Sequence, residues 1–169
     1  LGLQSQVAVK FMLSASLNDP VSVARFRQEA KAAAEIRSPH VVQVFDHGVT
    51  EEGENFIVME LLEGETLKQA LRHGPMSLEQ GIDVCLQLTR GLRHAHRAGM
   101  IHRDIKGENV LIHESGVAKL ADFGCSKRDG FTTYMAPEQM EQTYSGHKID
   151  VWALGGVALL MATSDPPWP

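Results

Sequence analysis

The stretch "HRDIKGENVLIHESGVAKLADFG", residues 102–124, decides how this chain is read. Asp104, Lys106 and Asn109 fall in a turn between a long helical pattern and a short strand pattern, "NVLIH". A turn "ESG" leads into a second strand pattern, "VAKLAD", and Asp122 stands at its end. Gly124 permits a sharp backbone turn directly behind it. A carboxylate in such a turn can take a proton from an attacking hydroxyl. A lysine two residues on can neutralise an anionic group moving past it. An asparagine oxygen and a second carboxylate are donors that a hard cation such as Mg²⁺ accepts. One base, one cation and two metal ligands are the parts needed to move a phosphoryl group by positioning and charge neutralisation.

Working outward, the pattern upstream is a helix. Ser77 and Gln80 form a capping box. Ile82, Cys85, Leu88, Leu92 and Ala95 mark one face, and Gly99 is placed as the C′ glycine. Further upstream, "QVAVKFML" reads as a strand with Lys10 its only charge. Asp19-Pro20 reads as an N-cap with proline at the first helical position. Val23, Phe26, Ala30, Ala33 and Ile36 then give a helix over residues 21–37. "HVVQVFDHGV" and "ENFIVMEL" read as two strands joined by the turn "TEEGE", and a short helix is expected over residues 67–72. Downstream, a helical turn is expected over residues 138–142 and a helix over residues 149–162. Strands with one helix come first and mostly helices follow. This predicts two lobes of an α+β fold, with a seam near residues 60–66.

The bulk numbers narrow the function classes. Apolar residues form 43% of the 169, enough to bury a core in one domain of ordinary size. A formal charge of −5 argues against a nucleic-acid partner, which calls for a basic patch. With only Cys85 and Cys125 present, no disulfide framework is implied and a reducing cytoplasm fits. The opening residues carry no secretory signature. The longest apolar run, "VWALGGVALLMA", is too short for a bilayer and reads as a buried helix, so no membrane segment is expected. His94 and His96 lie two apart on a helix and share no face, which makes them surface histidines and not a metal pair. Taken singly, Lys10 would be an edge lysine and Glu29 a solvated helix residue, whose pairing is worth roughly 0–1 kcal/mol on a surface.

Taken in order, the motifs resemble those of a protein kinase catalytic domain of the serine/threonine type, across nearly the whole chain. "VAVK" is similar to the strand that carries the phosphate-binding lysine, here Lys10. "FRQEA" is similar to the helix that carries its ion-pair partner, here Glu29. "HRDIKGEN" is similar to the catalytic loop, with Asp104 the base, Lys106 neutralising the moving phosphoryl and Asn109 a metal ligand. "DFG" supplies Asp122 as the main metal ligand. "YMAPE" resembles the end of the activation segment, and Asp150 in "IDVWALG" the family's buried helix aspartate. The resemblance further implies that the Glu60 carbonyl and Leu62 amide meet adenine, with Met59 behind them and Ala8 and Leu111 above and below the ring. The fold it implies is the two-lobed kinase fold, with a small antiparallel-sheet N-lobe containing one helix (residues 1–62) and a mostly helical C-lobe (63–169). ATP and Mg²⁺ are the implied cofactors. The implied partner is a protein carrying a Ser or Thr acceptor, the kinase itself included.

The sequence departs from the family in three places. The glycine-rich hairpin that precedes "VAVK" is not in these residues, and neither are the helices that follow "PPW"; both lobes are therefore expected to be incomplete at their outer ends. Residues 125–135 also form a short activation segment. Fully extended they reach at most ~36 Å, enough to close the loop. Within it Phe131 takes the place where the family has threonine against the base, Thr132 stands one residue on, and Thr133 follows. Arg103 is the usual receptor for an activating phosphate. Two other readings compete with an active kinase: an inactive kinase-like binding or regulatory fragment, and a small-molecule phosphotransferase of related fold. "HRDIKGEN" and "APE" argue against the last.

Overall fold

The computed structural model describes residues 6–11, 20–123, 133–144 and 146–167. Two three-stranded antiparallel sheets and three long helices organise them. Strand β1 (Val7–Phe11) pairs with β3 (Asn55–Glu60), and β3 with β2 (Val44–Val49), giving the order β1-β3-β2. Lys10 stands opposite Ile57 and Ala8 opposite Met59 in this ladder. Among the described residues β1 is an outer strand, with the faces of Val7, Val9 and Phe11 exposed. Helix α1 (Pro20–Glu35) starts at the proline, as the fixed φ of that residue favours, and its Phe26, Ala30 and Ala33 are buried. Asp19, the expected cap, lies outside the described residues.

The segment after α1 behaves differently from its sequence pattern. "HVVQ" was expected to open a strand, but β2 begins only at Val44. Val41 instead makes an isolated parallel bridge to Leu120. The Val42 N–H donates to the Leu120 carbonyl at 2.8 Å, and the Leu120 N–H to the His40 carbonyl at 3.0 Å. Two apolar residues, Val41 and Val42, are thus spent on joining the first sheet to the second.

The second sheet, in the order β4-β5-β6, comprises Gly64–Thr66, Val110–His113 and Ala118–Leu120. Strand β4 is too short to show a period and was not legible in the sequence. Thr66 closes it and caps α2 (Leu67–Ala70) in a capping box with Gln69. Helix α3 (Leu78–Arg97) carries the expected Ser77–Gln80 box, and Gly99 follows its cap at φ 76°. Its buried face is Val84, Gln87, Leu88, Gly91, Leu92 and Ala95. Ile82, assigned to that face from the sequence, is 51% exposed, because a residue six positions before Leu88 stands roughly 120° away from it around the helix. Short helix α4 (Pro137–Met140) and the apolar α5 (Lys148–Thr163) complete the described fold. One main core unites α3, α5, β5, β6 and the end of α1. No described helix is long and apolar enough to cross a membrane.

Candidate active site

The site is built on a buried carboxylate. Asp150, in the first turn of α5, has no solvent exposure. Its Oδ2 accepts the His102 N–H at 2.9 Å and faces His96 Nε2 at 2.7 Å; its Oδ1 accepts the Arg103 N–H at 2.8 Å. A buried carboxylate is tolerable only with such a set of donors, and charge-assisted bonds are the strong ones. They fix Arg103 at φ 69°, a left-handed conformation that an L-residue adopts only under constraint. Gln139 of α4 adds a second restraint, its amide donating to the Arg103 carbonyl at 3.1 Å.

His102 is buried beside this turn. Its Nε2 bonds the Ala121 carbonyl at 2.9 Å and its ring lies against Phe123 at 4.5 Å between centroids. The Asp104 N–H points at Nδ1 from 3.3 Å. Burial pulls the imidazole below the ordinary histidine value, against the opposing pull of Asp150, the Ala121 carbonyl, Asp104 and Asp122. A neutral ring with its proton on Nε2 satisfies both bonds. It also spans from the turn carrying Asp104 to the strand end carrying Asp122.

Asp104, Lys106 and Asn109 form one network. Asp104 Oδ2 accepts from Lys106 Nζ at 2.8 Å and from Asn109 Nδ2 at 2.9 Å. The same Nδ2 reaches the Asp104 carbonyl at 2.8 Å. The Asn109 carbonyl in turn accepts the Ala121 N–H at 2.9 Å, which ties this turn to the residue before Asp122. Asp122 stands at φ 63° and pairs with Lys10 across the cleft, Nζ to Oδ1 2.7 Å. Lys10, Met59, Asp122 and Phe123 line one small cavity with Val44 and Ile57.

One expected contact is replaced. Glu29 does not meet Lys10; its Oε1 lies 3.5 Å from Arg103 Nη1, while Lys10 is held by Asp122. Of the residues expected beside adenine, Ala8 and Met59 are cross-strand partners and therefore neighbours on one sheet face. Leu111 lies opposite Lys119 in the second sheet, and Lys119 forms an ion pair with Glu60. Leu62 is half-buried in the link between the sheets. Gly124, Cys125, Phe131 and Thr132 lie outside the described residues; Thr133 is exposed.

Three residues at this site were missed or misjudged in the sequence. His96 was assigned to the surface, yet it is an Asp150 partner; its pairing with a residue of α5 is a tertiary fact. Gln139 carried no local signal. Lys119 did: a lysine between buried Ala118 and Leu120 must project from the opposite strand face, toward the link between the sheets.

The sequence pattern of the protein kinase domain family matches residues 3–169. The chain belongs to the protein kinase domain family. It is 37% identical to a probable serine/threonine-protein kinase of Clostridium perfringens over 96% of this chain and 25% of that protein. To the serine/threonine-protein kinase PknL of Mycobacterium tuberculosis it is 36% identical over 98% of this chain and 45% of that protein. The chain therefore spans less than half the length of these curated relatives. Among solved structures, the crystal structure of the M. tuberculosis PknI kinase domain superposes with a TM-score of 0.87 at 25% identity, covering 99% of this chain and 67% of that one. The two-lobed kinase fold expected from the motifs is thus the fold found, with the small antiparallel sheet and the helical part in the expected order.

Proposed function

We propose that this chain is the catalytic part of a Mg-ATP-dependent protein serine/threonine kinase. Residues 1–62 serve as its N-lobe and 63–169 as its C-lobe. The observation that carries the reading is the Asp104 carboxylate, held by Lys106 and Asn109 in a turn tied through Ala121 to the Asp122–Lys10 pair.

The donors suit magnesium. The Asn109 amide nitrogen is committed to Asp104, so its carbonyl oxygen is the end offered to a cation, and Asp122 supplies a carboxylate; an amide oxygen and a carboxylate are hard-cation ligands. A magnesium ion held by Asn109 and Asp122 would supply positive charge to the phosphates. The remaining roles belong to the chain. Asp104, aligned by Asn109, accepts the proton of the Ser or Thr hydroxyl. Lys106, already on the Asp104 carboxylate, supplies positive charge beside the moving phosphoryl. Lys10 turns from Asp122 to the α- and β-phosphates, and Glu29 turns from Arg103 to support it. The Glu60 carbonyl and Leu62 N–H take the adenine edge, with Met59 behind it and Ala8 and Leu111 on its faces. Protein hydroxyls, including those of this kinase, are the acceptors, in a cytoplasmic setting.

The test pairs two assays on the protein: phosphate transfer from γ-labelled ATP to casein or to itself, and nucleotide-induced thermal shift. Transfer that requires Mg²⁺ supports the reading. Nucleotide binding with no transfer to any protein favours a binding module, and transfer to a sugar or aminoglycoside favours a small-molecule phosphotransferase.

A further inference from the structure

Glu60 ends the last strand of the first sheet, and its side chain is fastened from two directions. Its Oε1 is ion-paired with Lys119 Nζ of β6. Its Oε2 accepts the Gln43 N–H at 3.2 Å, and its own N–H donates to the Gln43 carbonyl at 2.9 Å. Gln43 closes the segment that bonds to Leu120 through Val42. Glu60 is thus tied to β6 both directly, through Lys119, and indirectly, through the residue-40 segment. The Lys119–Glu60 pair is only 15% and 29% exposed, so solvent screens it less than a surface pair. In the β5–β6 ladder Lys119 lies directly opposite Leu111, which places the two side chains on one face.

We infer that Lys119 is a positioning residue for the adenine end of the site. This deepens the kinase reading and rests on it. Strand β6 carries Lys119 three residues before Asp122. One short strand therefore sets the place of the metal-binding carboxylate and, through the Glu60 side chain, the place of the Glu60 carbonyl. Lys119 does not touch the phosphates; the described cation facing Asp122 is Lys10. Its loss is therefore felt by the base and not by the phosphate chain.

The experiment measures binding of adenosine, ATP and tripolyphosphate, each with Mg²⁺, to wild type and to Lys119→Met, with steady-state kinetics beside it. Lys119→Met weakens adenosine and ATP by a common factor of about ten, the value of one charge-assisted contact. Tripolyphosphate binding and kcat at saturating ATP stay in place. Lys119→Arg, which keeps the charge, restores affinity. Glu60→Gln reproduces the defect from the other end, and the double variant is no worse than either single one. Unchanged adenosine affinity in both Lys119→Met and Glu60→Gln overturns the inference while leaving the kinase reading intact. So does an equal loss of adenosine and tripolyphosphate. Wild-type protein that binds neither adenosine nor ATP overturns both.

Discussion

Lys10 Nζ lies 2.7 Å from Asp122 Oδ1, and this pair closes the cleft between the two sheets. The same two groups are assigned to a nucleotide's phosphates and to its metal. Two carboxylates of the site hold a lysine: Asp122 holds Lys10, and Asp104 holds Lys106.

Lys10→Met removes the cation from this cleft. The expected outcome is a loss of ATP affinity by roughly 10- to 100-fold, the range for a hydrogen bond to a charged group. Titration of ATP by calorimetry reads it. Affinity within twofold of wild type would take Lys10 out of the phosphate site.

Asp150→Ala leaves the His102 and Arg103 N–H groups and His96 without their shared acceptor. Buried donors left without their acceptor cost about 1–3 kcal/mol each. Urea denaturation followed by circular dichroism should show a lower midpoint of that size, with catalytic-loop amide exchange accelerated. Asp150→Asn keeps one acceptor oxygen and is expected to fall between the two.

Gly91 faces the carbonyl of His40, where a Cβ would stand 2.6 Å from the oxygen. Backbone cannot yield as a flexible side chain does. Gly91→Ala should destabilise by about 1–3 kcal/mol, the usual cost of overpacking. The loss will register as a lower thermal midpoint. A more stable Gly91→Ala would mean that α3 and the residue-40 segment can part freely.

The pH dependence follows from His102. Its folded-state value lies below the ordinary 6.5, so between the two values the unfolded chain binds the extra proton. Its contribution to stability is complete above that pH and is lost as pH falls below 6.5, by up to about 1.4 kcal/mol per unit. Unfolding free energies measured from neutral to mildly acid pH should therefore decline more steeply for wild type than for His102→Gln. Equal slopes would show that the ring is not held neutral by the fold.

Much of this was legible in the residues because the signals were local. Capping at Ser77, proline at the start of α1, the glycine after α3 and the spacing within "HRDIKGENV" each act over a few residues, and the structure places them where those rules put them. What escaped the sequence is long-range. Val41 and Val42 read as strand by composition, yet the Val42 N–H donates to the Leu120 carbonyl, 78 positions further on, and the Leu120 N–H returns to the His40 carbonyl. His96 joins Asp150, 54 positions away. The pairing of Lys10 with Asp122 and of Glu29 with Arg103 joins residues 112 and 74 positions apart, which no periodicity records.

The most direct measurement of the central claim is the rate of phosphate transfer from Mg-ATP to protein by wild type and by Asp104→Ala, with ATP binding followed in parallel. The account predicts that the variant binds ATP as wild type does and transfers phosphate slower by about 10²- to 10⁴-fold, the contribution of a positioned general base. Turnover by Asp104→Ala equal to wild type would contradict it.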